Sequence, residues 1–223
     1  MISRLGIAAA MTAIGLAVLP ALAATTRSPD ARFTYAAPGR HQAAPFALPK
    51  SATVLFNNFA TAYPGGLYFS GEGNTLTGPG MPLNPGIASA AQFTPTRSGI
   101  ATDVYAAVGY LSGNSVVDVA IYTDNAGVPG SVLTSVETKA WPIFGACCQV
   151  VQAKLASAVA LTAGTPYWVV VSADAPVRSS FSGAWALSTT NQVTDVLAGT
   201  NFDGAGWQSY ATNTPPAFAI TGN

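Results

Sequence analysis

Ser115-Val116-Val117-Asp118-Val119-Ala120-Ile121-Tyr122-Thr123-Asp124 alternates with period two. Val117, Val119 and Ile121 fall on one face, and Asp118, Ala120 and Tyr122 on the other, as in a strand with one face in a core. Fifty residues on, Thr165-Pro166-Tyr167-Trp168-Val169-Val170-Val171-Ser172 is a continuous apolar run. It reads as a central strand buried on both faces. In Thr102–Tyr110, Val104, Ala106, Val108 and Tyr110 share a face. Weaker strands are expected at Ile87–Phe93, Val132–Thr138, Gln149–Leu155, Gln192–Leu197 and Ala217–Thr221. Gly-Pro, Asn-Pro-Gly, Asp-Asn-Ala-Gly and Asp-Gly-Ala-Gly turns separate these runs. No helical capping signal precedes a 3.6-period apolar pattern. The fold expected is all-β, a single antiparallel, jelly-roll-like β-sandwich of about ten strands spanning residues 53–223.

The sandwich is preceded by two other segments. Arg4, the apolar stretch Leu5–Leu19, Pro20 and Ala21-Leu22-Ala23 have the three parts of a secretory signal peptide, residues 1–23, cleaved before Ala24. Pro20 and the small-residue site favour cleavage over retention as a membrane anchor. No later segment is long and apolar enough to span a bilayer as a helix. Residues 24–52, with Pro29, Pro38, Pro45 and Pro49, read as a mobile or loosely packed linker. The location expected is outside the cytoplasm: extracellular, cell-surface or periplasmic.

Composition excludes several classes. With 223 residues the chain can bury roughly 70% of its unfolded surface, so it needs no disulfide to hold a core. Only 8% of residues are charged, nine basic against nine acidic. A nucleic-acid partner is not expected, because no basic face is available to neutralise phosphates.

A resemblance rests on four segments. They are Leu111-Ser112-Gly113-Asn114 with the strand after it, the turn Asn125–Leu133, Leu161–Trp168, and Pro216–Gly222. Together these are similar to the choice-of-anchor family of bacterial surface domains, most of all its R type, over about Val54 to Gly222. The resemblance implies an exported β-sandwich with no enzymatic activity and no catalytic residues to carry over. Relatives often end in a sorting tail. This chain stops at Asn223, which favours a released or periplasmic product.

Residues that could carry chemistry are few. His41, the single histidine, lies in the linker, where no nucleophile and carboxylate can be held against it. A zinc site would need more imidazoles or thiolates. The two glutamates, Glu72 in a Gly-rich loop and Glu137 on a strand, read as solvated residues rather than a glycosidase pair. Asp124-Asn125-Ala126-Gly127 and Asn201-Phe202-Asp203-Gly204 offer oxygen ligands for calcium, but turn chemistry explains both. No cofactor is expected. Trp168 reads as core. Trp141, Trp185 and Trp207 stand beside Pro, Gly or Ser and are candidate stacking surfaces for a glycan ligand, with core filling the commoner use.

Cys147 and Cys148 are adjacent and are the only cysteines. Neighbouring Cα atoms sit about 3.8 Å apart across a trans peptide, closer than the usual disulfide span. Three readings compete: an intrachain disulfide locking a turn, a buried reduced pair, and a redox or intermolecular site. The functions left open are adhesion, matrix association or ligand binding by a non-enzymatic exported domain. The alternative is a carbohydrate-binding module or weakly glycoside-active protein. The partner in view is a glycan or another cell-surface component.

Overall fold

The computed structural model describes residues 32–34, 46–60, 67–80, 86–145, 149–173, 179–190, 197–201, 206–210 and 214–223. They contain strands and turns and no helix. The strands are β1 (Arg32–Thr34), β2 (Thr53–Asn57), β3 (Tyr68–Thr77), β4 (Ile87–Phe93), β5 (Gly99–Ala106), β6 (Val108–Ser112) and β7 (Val116–Asp124). They continue as β8 (Pro129–Lys139), β9 (Val151–Leu161), β10 (Tyr167–Ser172), β11 (Ser182–Ser188), β12 (Leu197–Asn201), β13 (Gln208–Tyr210) and β14 (Phe218–Gly222). The smaller sheet runs β2-β14-β5-β9. The larger runs β6-β11-β3-β4-β10-β7-β8, with β1 beside β3, β12 beside β4 and β13 beside β12. Every strand pairing is antiparallel. The two sheets form the expected β-sandwich.

Alternation explains the core. Val117, Val119 and Ile121 of β7 are fully buried, as are Val169 and Val171 of the neighbouring β10. Trp168 and Val170, on the other face of β10, are buried as well, which accounts for the unbroken apolar run. Phe218 of β14 sits among aromatic rings: Phe56 at 4.8 Å, Trp185 at 5.6 Å and Phe93 at 6.0 Å between centroids. Such ring pairs contribute roughly 0.5–1.5 kcal/mol each beyond the area they bury.

The run Thr102–Tyr110 is two strands, not one. At Ala107 the chain leaves the smaller sheet and enters the larger. The Ala107 N–H donates to the Ala217 carbonyl (3.1 Å) and its carbonyl accepts from the Ala186 N–H (2.9 Å), so this residue bonds to both sheets. Val104, Ala106 and Val108 all still face the core. The period-two signal survives because the corner keeps the same side inward.

Partners lie along parts of three strand edges. The edge of β6 pairs with residues 142–144: the Tyr110 N–H donates to Pro142 (2.7 Å) and the Phe144 N–H to Tyr110 (2.8 Å). The Thr96 N–H caps the Leu55 carbonyl of β2 (3.0 Å). Strands β8 and β9 meet where the Ser157 hydroxyl reaches Thr134 Oγ1 (3.1 Å). The paired stretch of β6 is closed to strand addition by another chain. At the far end of the smaller sheet, Thr53 of β2 lies opposite Gly222 of β14.

The segment expected to be a loose linker joins the sandwich in two places. Residues 32–34 form β1 against β3. The Phe46 ring packs 5.5 Å from Phe59 and 5.6 Å from Tyr105. Residues 1–31, including the expected leader, and residues 192–196 of the strand expected at Gln192–Leu197 lie outside the described residues.

Tyr68 ties β3 to the segment before β9, its hydroxyl donating to the Gln149 carbonyl (2.9 Å). Burial pushes its pKa up to about 12. The unfolded chain ionises first, near pH 10. The stability Tyr68 contributes is therefore present below about pH 10 and is lost between pH 10 and 12, by up to about 2–3 kcal/mol. Denaturant unfolding across that range should show a shallower alkaline decline for Tyr68→Phe than for the wild type. Parallel pH curves would refute this.

Candidate functional site

The structure corrects two of the three candidate tryptophans. Trp185 is fully buried, with its indole N–H donating to the Ala217 carbonyl (3.0 Å). Trp141 is 5% exposed and donates to the Thr138 carbonyl (3.1 Å). Neither offers a face for stacking. The small residues around Trp185 admit a close neighbour instead of marking a surface: a Cβ on Gly183 would strike the Gly109 carbonyl. Trp207 differs, being half-buried and packed against Ala90, Ala120, Trp168 and Val170 on the outer face of the larger sheet.

That outer face is ordered by strand register. Gln92 of β4, Trp168 of β10, Tyr122 of β7 and Val132 of β8 form one row. Ala90, Val170, Ala120 and Ser135 form the next. Beyond it lie Ser172, Asp118 and Glu137. Tyr122 and Trp207 are half-buried, Val132 is 54% exposed, and Ser135 and Glu137 are exposed.

Asp124 closes the aromatic end. Its Oδ1 accepts from the Trp168 indole N–H and the Gln92 side-chain amide, both at 2.8 Å. Its Oδ2 accepts from the Gly127 N–H at 3.3 Å. In the turn, Asn125 and Val128 exchange backbone bonds at 2.8 and 3.3 Å. Ala126 and Gly127 have φ of 52° and 88°, as in a two-residue I′ hairpin. Turn chemistry thus engages the Asp124 loop, the first of the two calcium candidates. Asp203 lies outside the described residues, as do His41, Cys147 and Cys148.

Ala126 holds a left-handed conformation that costs an alanine about 1 kcal/mol. Ala126→Asn, the residue favoured there, should raise stability by about 0.5–1 kcal/mol and the melting temperature by about 2–4 °C. An unchanged or lower melting temperature would contradict the turn assignment.

Glu72 lies exposed on β3, not in a loop. Glu137 pairs with Lys139 at 3.0 Å on the surface, where an ion pair contributes little. It also stands opposite Asp118 across the β7–β8 ladder. Among the described residues, no three His, Cys, Asp or Glu side chains group to hold a metal ion, and no helix is long and apolar enough to cross a membrane. Sequence reasoning missed Gln92, Tyr122 and Asp124 as companions of Trp207. The outward positions of β7 mark Tyr122, but the row needs the β4–β10–β7 pairing, which joins residues far apart in the chain. Comparison of the chain with protein-family models, characterised proteins and solved structures finds no match.

Proposed function

We propose that this is an exported, non-enzymatic binding domain serving adhesion, matrix association or ligand capture through the outer face of its larger sheet. The observation that carries this reading is the partly exposed pair Tyr122 and Trp207, seated on buried Trp168. Aromatic side chains with one face wet are effective contact surfaces. The signal-peptide pattern of residues 1–23 supports export.

The test is to screen secreted, mature chain on glycan arrays and in pull-downs from cell-surface extracts, then repeat with Tyr122→Ala/Trp207→Ala. The secreted chain should begin at Ala24, and the double variant should keep its strand-dominated circular dichroism while losing the ligand. Retained binding would reject this face as the contact surface. Recovery of uncleaved chain in membranes would reject release.

A further inference from the structure

We infer that the bond between Lys50 and Ser51 is a processing site for a protease of trypsin-like specificity, and that cutting it frees residues 46–48, which cover an apolar surface on the outside of the smaller sheet. The inference is independent of the binding face proposed above.

The site is a turn. Lys50 and Ser51 are exposed just before β2, and the Ala52 N–H donates to the Pro49 carbonyl at 3.0 Å. That bond closes a β-turn with Lys50 and Ser51 at its centre. Exposed turns of small and polar residues are where chains are nicked, because they open without disturbing a core. The other basic residues among those described are held differently. Arg32, Lys139 and Lys154 lie in the ladders of β1, β8 and β9. Arg97, between β4 and β5, has pinned neighbours: the Thr96 N–H donates to the Leu55 carbonyl at 3.0 Å, and Ser98 Oγ accepts from the Ala163 N–H at 2.9 Å. Cutting at any of these makes a strand or two bonded neighbours let go, whereas opening the Lys50 turn breaks the bond from Ala52 to Pro49. A specificity pocket that carries a carboxylate recognises the lysine ammonium.

What the cut releases is a cover. Tyr105 of β5 and Ala219 of β14 are partners in register, on the face turned away from the core residues Val104 and Ile220. They are nevertheless 4% and 0% exposed. Half-buried Phe46 and Leu48 pack on the apolar cluster that holds them, the Phe46 ring 5.6 Å from Tyr105 and 5.5 Å from Phe59. While Lys50 stays joined to Ser51, a short tether keeps this cover at high local concentration, and the cut removes that advantage. Upstream of the cover, the hold among the described residues is the three-residue pairing of β1 with β3.

The experiment treats folded chain beginning at Ala24 with a low ratio of trypsin and reads the products by mass spectrometry and N-terminal sequencing. A fragment beginning at Ser51 should form. Lys50→Gln should lose it and Lys50→Arg should keep it; both changes sit at an exposed position and leave the core intact. After gel filtration at low concentration, the cut protein should have lost the piece upstream of Ser51. It should then bind the apolar dye anilinonaphthalene sulfonate several-fold more than uncut chain does. Uncut Phe46→Ala should show a smaller rise. A Lys50–Ser51 bond that survives the protease overturns the processing site, and a Ser51 fragment still formed from Lys50→Gln overturns recognition of the lysine. Cut protein that keeps the upstream piece and binds no more dye overturns the cover.

Discussion

Replacing Asn58 by alanine should destabilise the protein by about 3–4 kcal/mol. Asn58 is fully buried just after β2. Its side-chain amide donates to the Pro216 carbonyl at 2.8 Å, and its Oδ1 accepts from the Phe218 N–H at 2.7 Å. The Asn58 N–H donates to the Phe218 carbonyl at 3.1 Å, and the Asn58 carbonyl accepts from the Ser188 hydroxyl at 2.5 Å. One residue thus fixes the entry of β14 and ties it to the end of β11. Alanine would leave a buried donor and a buried acceptor unpaired, each a loss of about 1–3 kcal/mol, and would open a small void. Urea unfolding should show a lower midpoint with an unchanged slope. Asn58→Asp should lose as much at neutral pH, since a carboxylate cannot donate to Pro216, and recover part of it in acid. A loss under about 1 kcal/mol for alanine would show that water or a shifted chain satisfies these groups.

Gly113→Ala should cost at least about 3 kcal/mol. Gly113 turns the chain from β6 into β7 at φ 86°, where an L side chain loses about 1–2 kcal/mol. A Cβ there would also land on the Ser180 carbonyl oxygen. The turn cannot yield freely, because the Asn114 N–H donates to Ser180 Oγ at 3.1 Å and Ser179 Oγ donates to Asn114 Oδ1 at 2.9 Å. Gly164 isolates the two contributions. It has φ 74° with nothing within 4 Å of an added Cβ, so Gly164→Ala should lose only the conformational part, about 1–2 kcal/mol. Equal losses at the two positions would mean that the Ser180 contact relaxes without resistance.

Strands with one dominant physical cause were legible in the sequence. β7 alternates and β10 is uniformly apolar, and both lie where their patterns put them; β4 has the bounds read from the chain. β3 and β11 escaped because their residues are small and polar. In β11, Ser182-Gly183-Ala184-Trp185-Ala186-Leu187-Ser188 is buried at every position, between two strands that approach closely, so small size there reports crowding rather than exposure. A Cβ on Gly73 of β3 would come within 2.7 Å of the Trp185 carbonyl. The same crowding buried Trp185, whose neighbours had suggested a surface. Trp207 was legible as a candidate by its type, but its platform was not. Gln92, Trp168 and Tyr122 become neighbours only when β4, β10 and β7 pair.

The pairing of Thr53 with Gly222 bears on how the domain responds to tension. Strands β2 and β14 run antiparallel, with the start of one beside the end of the other. A pull entering upstream of β2 and leaving downstream of β14 would, once it reaches this pair, open the ladder like a zipper, one hydrogen bond at a time. The rest of the ladder carries no load until its turn, so the force needed is low.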